Sequence, residues 1–97
     1  MITTKQRAFL RSIANKTEPF HQIGKNGITG NLIKSLSDAL EARELIKITI
    51  LETCPETPKD VMNSLCETLE CEAVQVIGRK VSIYRPSINN PVIKLPS

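Results

Sequence analysis

The 97-residue chain contains no tryptophan, one tyrosine and two phenylalanines. Its core must therefore be aliphatic, and stacking of bases on aromatic rings is restricted. Any nucleic-acid partner would have to be gripped mainly through its backbone phosphates. His21 is the single histidine, and no apolar run is long enough to span a membrane. No signal peptide precedes the three cysteines, so a cytoplasmic location with reduced thiols is expected. Cys54, Cys66 and Cys71 are separated by twelve and five positions, which is not the close pairing that zinc sites favour. No metal site and no cofactor are expected, and Cys66 reads as part of an apolar helical stripe.

Nucleotide motifs and reaction centres are missing too. No Gly-x-x-x-x-Gly-Lys-Ser/Thr loop is present, and Gly24, Gly27 and Gly30 recur by threes rather than as GxGxxG. Asp38 and Glu41 read as a solvated carboxylate pair on a helix, with no nucleophile or base beside them. The chain is not expected to be an enzyme or to take a small-molecule substrate.

Hydrophobic residues make up 40% and charged residues 24%, as in an ordinary globular chain, and the length suits one domain over 1–97. The net charge of +3 is unevenly spread. Residues 1–30 and 73–97 each carry a net +4, whereas residues 51–72 carry a net −5. That asymmetry suggests a basic face for an anionic partner, although a mixed solvated surface fits the charges equally well.

Thr3-Thr4-Lys5-Gln6 reads as a capping box before a helix whose apolar face is Phe9, Leu10, Ile13 and Ala14. Phe20–Ile23 reads as a short strand. Thr29 N-caps a second helix with Leu32, Ile33, Leu36, Ala39 and Leu40 at helical spacing, ending near Arg43. Leu45–Ile50 alternates as a strand that turns Lys47 and Thr49 outward. Thr57-Pro58 opens a third helix, with Val61, Met62, Leu65, Cys66 and Leu69 as its stripe. Ala73–Ile77 and Lys80–Arg85 are strands joined by Gly78-Arg79, a type II′ hairpin signal. Residues 86–97, with three prolines, form an extended tail. The fold class is α/β, of order α-β-α-β-α-β-β with a mixed four-stranded sheet. The two helical crossovers predict parallel pairing, and the hairpin adds an antiparallel strand. Helices are expected mainly on one sheet face, with the first helix able to cover part of the polar face (Lys47, Thr49, Gln75, Lys80, Ser82, Tyr84).

The loop Gly24-Lys25-Asn26-Gly27 lies between a strand and a helix N-terminus, where backbone N–H groups and the helix dipole favour anions. Lys25 adds charge, and Asn26 can donate and accept hydrogen bonds. Taken alone, the loop fits a tight turn with two glycines at positive φ at least as well.

Four blocks in order, TTKQRAFLRSIA, QIGKNGIT, ALEARELIKI and QVIGRKVSIYRPS, followed by an NPVIKLP tail, resemble the CRM domain family (chloroplast RNA splicing and ribosome maturation). The resemblance is to its free-standing bacterial YhbY-like members and covers nearly the whole chain. It implies a fold similar to the C-terminal domain of bacterial translation initiation factor three. It also implies RNA binding through the GxxG loop and association with precursors of the large ribosomal subunit. Carried onto this sequence, the RNA-binding residues are Gly24, Lys25, Asn26, Gly27 and Thr29, with Lys47, Arg79 and Arg85 flanking; Lys80 is added from charge and position. The expected partner is ribosomal RNA and the expected state a monomer. Two positions depart from the family pattern: Gly30 stands where an acid is common, and His21 where an aliphatic residue is usual. The alternative function is a protein-interaction adaptor on the pre-ribosome, using the acidic third helix or the apolar tail residues Val92, Ile93 and Leu95.

Overall fold

Short-range signals fix where each helix begins in the structure, a computed structural model that describes residues 2–97. The Thr3 hydroxyl accepts from the Gln6 N–H at 3.1 Å while the Gln6 side chain accepts from the Thr3 N–H at 2.9 Å. This reciprocal cap opens α1, Thr4–Ala14. Thr29 caps α2 (Gly30–Arg43) through the Leu32 N–H, and Thr57 caps α3 (Pro58–Leu69) through the Asp60 N–H, with Pro58 in the first turn.

The strands are β1 (His21–Ile23), β2 (Leu45–Ile50), β3 (Glu72–Ile77) and β4 (Lys80–Tyr84), in the expected α-β-α-β-α-β-β order. They form one mixed sheet of spatial order β1-β2-β4-β3. β1 pairs parallel to β2, as the first crossover predicts. β3 runs in the same direction as β2 but does not pair with it, because β4 inserts between them and is antiparallel to both. Burial explains the order: Val81 to Tyr84 are all buried, which suits a central strand, whereas β3 ends on Ile77, 60% exposed at the sheet edge.

Both sheet faces are used. Ile46, Ile48, Ile50, Val81 and Ile83 pack with Leu36 and Leu40 of α2 and Val61 and Leu65 of α3 in the main core. Cys54 and Cys71 are buried in this core, and Cys66 packs against it. On the opposite face Leu45, Val74 and Tyr84 meet Leu10 and Ala14 of α1 in a second, smaller core. Helix α1 thus covers the end of the face that carries Leu45 and Tyr84. The other end, where Lys47 and Thr49 point outward, stays partly open.

The tail has no helix or strand but is fastened to the body. Glu44 is fully buried at the C-terminal end of α2 and accepts the N–H groups of Ser87, Val92 and Ile93. Glu41 accepts the Ser87 hydroxyl and the N–H groups of Ile88 and Asn89. The expectation of a solvated Asp38/Glu41 pair is therefore corrected for Glu41, whose carboxylate closes tail hydrogen bonds that a 46-residue separation hides from local reading. Ile93 and Leu95 then pack against the second core, and Pro96 accepts from the Gln6 amide at 3.0 Å.

Candidate nucleic-acid interface

The glycine loop is a tight turn pinned at both ends. Strand β1 hands over to it at Ile23, whose carbonyl accepts the Leu51 N–H at 2.8 Å, and the Gly27 N–H closes back on the Gly24 carbonyl at 2.9 Å. Gly27 has φ +62, a backbone that favours glycine. Gly24 does not share it, so the expectation of two positive-φ glycines holds only for Gly27. At Gly24 a Cβ would lie 3.4 Å from both Leu51 Cδ1 and Thr53 Oγ1, a close contact with the ends of two exposed side chains, so neither conformation nor space demands glycine there.

With its ends fixed, the turn lifts Lys25 and Asn26 to an exposed tip. Two residues later the Thr29 hydroxyl is occupied by the Leu32 N–H. Thr29 therefore acts on the site by holding the start of α2 in place. The next N–H groups, those of Gly30 and Asn31, lie in the first helical turn, where no intrahelical acceptor exists. Behind the loop an open cleft of about 420 Å³ has Ile23, Leu32 and Leu51 as an apolar wall and Gln22, Asn26 and Thr53 as polar lining.

The flanking basic residues separate into distinct roles. Arg79 lies at the same end of the sheet as the loop, and its guanidinium donates to the carbonyls of Ile50 (2.6 Å) and Leu51 (2.8 Å). It thereby holds Leu51, which walls the cleft behind Gly24. Lys80 is exposed opposite Thr49 in the β2–β4 register, and Lys47 sits two residues back along β2 on the same face. Arg85 is elsewhere: it follows Tyr84, which pairs with Leu45 at the far end of β2, about 17 Å from Ile50. Its guanidinium donates to the Leu69 carbonyl and to both oxygens of Ser37, tying α2 to α3. The fold thus brings Gly24, Lys25, Asn26, Gly27, Thr29, Lys47, Arg79 and Lys80 toward one end and leaves Arg85 apart. Arg7 on α1 similarly donates to the Ala73 carbonyl and is a packing tie.

Two neighbours of the loop escape sequence reading. Glu56 Oε1 lies 4.0 Å from where a Gly27 Cβ would stand, so a carboxylate flanks the turn. On the approach to β1, Phe20 is 60% exposed, with the Arg43 guanidinium 4.0 Å from its ring centroid. Phe20 and Arg43 stand 23 positions apart with no local periodicity linking them, so only the fold unites them. The His21 departure has a cost, since its Nδ1 is buried without a hydrogen-bond partner. Among the described residues no helix is long and apolar enough to cross a membrane.

Comparison with known proteins supports the family drawn from the sequence blocks. The model of the CRS1/YhbY (CRM) domain matches residues 2–85. The probable RNA-binding protein YqeI of Bacillus subtilis is 44% identical over 99% of this chain and 100% of its own length. An RNA-binding protein of Haemophilus influenzae is 33% identical over 98% of this chain and 95% of its own. The solution structure of SAV1595 from Staphylococcus aureus, described as a candidate RNA-binding protein, superposes with a TM-score of 0.83 at 46% identity, covering 99% of this chain and 100% of that one. The chain belongs to the CRS1/YhbY (CRM) domain family.

Proposed function

We propose that this protein binds RNA through the Gly24–Gly27 turn and acts in the cytoplasm on ribosomal RNA during assembly of the large ribosomal subunit. The observation that carries this reading is the turn itself: Lys25 and Asn26 are exposed on a backbone fixed at both ends, directly before the unpaired N–H groups that begin α2. Lys47 and Lys80 extend the positive charge from the loop across the open part of the sheet. Relatives named as RNA-binding proteins support RNA as the ligand. Of the tail residues that would serve an adaptor role, Ile93 and Leu95 are packed into the protein's own second core, which leaves Val92.

Phosphate contacts make binding salt-dependent, with a log–log slope of about −0.7 per phosphate for a single strand. With roughly three to five contacts, a fourfold rise in salt weakens binding on the order of tenfold to a hundredfold. The test is a salt series on purified ribosomal RNA, with wild type beside a Lys25→Ala/Asn26→Ala variant. The variant is expected to bind more weakly and with a slope shallower by about 0.7. Equal affinity and equal slope would assign the loop to a structural turn and favour the adaptor.

A further inference from the structure

A second contact for RNA lies at the other end of β1, and it reads a different chemical feature. The β1–β2 register sets His21 beside Ile48 and Gln22 beside Thr49, and just before the strand the Phe20 N–H donates to the Lys47 carbonyl at 3.3 Å without joining the ladder. Ile23, Ile48 and Ile50 point into the main core. By the two-residue alternation of strands, Gln22, Lys47 and Thr49 therefore share the opposite face, joined across β2–β4 by Lys80, while Phe20, just outside the strand, meets Arg43 of α2 at the β1 edge of the sheet. Helix α1 covers this face only toward Leu45, Val74 and Tyr84. What remains is an open strip of Gln22, Lys47, Thr49 and Lys80, with Phe20 before one end of edge strand β1 and the Gly24–Gly27 turn after the other.

Phe20 is unusual at this edge of the sheet. In a chain with three aromatic residues, it leaves 60% of its surface exposed while one side of the ring carries the Arg43 guanidinium at 4.0 Å. An exposed aromatic ring backed by a cation is a stacking platform for a nucleobase, because the base gains π contact with the ring while the guanidinium favours the nearby phosphate. Phe20 and Gly24 stand about 13 Å apart along the direction of β1, with exposed Gln22 between them.

We infer that Phe20, backed by Arg43, stacks one unpaired base of a single-stranded RNA segment whose backbone follows the β1 edge to reach the Gly24–Gly27 turn. The inference rests on the RNA-binding reading of that turn, and it adds that the preferred ligand is unpaired RNA. Bases held within a duplex have their faces covered by their neighbours and cannot use the platform.

The test uses single-stranded oligoadenylate and a fully paired RNA duplex as probes. Phe20→Ala is expected to weaken oligoadenylate binding about tenfold with the salt slope unchanged, and to leave duplex binding unaltered. Because the chain has no tryptophan, Phe20→Trp introduces a sole indole, whose emission is expected to be quenched by saturating oligoadenylate. Unchanged affinity in Phe20→Ala, absence of oligoadenylate binding by the wild type, or an unquenched indole in Phe20→Trp would each overturn the inference. The two contacts fail separately. Ribosomal RNA binding that depends on Lys25 and Asn26 but is silent at Phe20 retains the loop alone; a response at Phe20 with a silent loop retains the platform alone.

Discussion

At Gly27 the backbone sits at φ +62, and an added side chain would point toward Pro55 and Glu56. The residue is thus held by its own conformation, and the same geometry brings the Glu56 carboxylate beside the turn proposed to bind phosphate. A like charge there opposes a bound phosphate by Coulomb repulsion, on the order of 0.7 kcal/mol at about 6 Å in a water-like dielectric. Glu56→Gln is therefore expected to strengthen RNA binding about threefold at low salt, with the gain shrinking as salt screens it. An affinity titration at two salt concentrations checks this, and an unchanged or weaker affinity would contradict it. At this scale the sequence singles out Gly24, Lys25, Asn26 and Gly27 as a candidate loop but does not show that only Gly27 takes a positive φ. Nor do charge counts distinguish an arginine offered to a ligand from one engaged with carbonyls, as Arg7, Arg79 and Arg85 are.

At the scale of elements, helix α2 reaches both the loop and the tail. Its N-terminus carries Thr29 and the turn, and its C-terminus carries Glu41 and Glu44. Burial pushes the Glu44 carboxyl up, but the N–H donors of Ile93, Ser87 and Val92 outweigh it and leave the group below its ordinary 4.5. The Ser87 hydroxyl, followed by the Ile88 and Asn89 N–H groups, likewise holds Glu41 down. Both carboxyls are lowered in the folded protein, so their stabilisation is fully present above the unfolded value and fades as pH falls through the folded one. Amide protection at Ser87–Ile93, taken relative to the intrinsic exchange rate at each pH, is expected to be high near neutrality and to fall below about pH 4.5, before that of Ile48 and Val81. Simultaneous release of tail and sheet would show that the two carboxylates do not hold the tail separately. Elements started by a local signal are legible in sequence: Thr3, Thr29 and Thr57 each sit where the first helical turn needs a cap. The insertion of β4 between β2 and β3 is not, since a hairpin signal fixes which strands are linked but not which strand takes the free edge. The role of Glu44 is hidden for a similar reason, its partners lying 43 to 49 residues away.

Over the whole molecule, the two sheet faces carry different charge. Helix α3, with Asp60, Glu67 and Glu70 exposed, packs on the main-core face. Lys47 and Lys80 lie on the other face, and Lys25 stands at the end where the two meet. The block charges in the sequence anticipate this separation, but only the strand alternation of β2 and β4 assigns each lysine to a side. A phosphate chain approaching this molecule is steered toward the lysines and away from α3. The most direct measurement is therefore an amide NMR titration of the labelled protein with a single-stranded RNA fragment of the large-subunit ribosomal RNA. Shifts are expected at Gly24–Gly27, Gly30 and Asn31, and along Lys47, Thr49 and Lys80, with Glu67 and Glu70 silent. Shifts centred on α3 or on Ile88–Val92, with the glycine turn unmoved, would contradict RNA recognition by the loop.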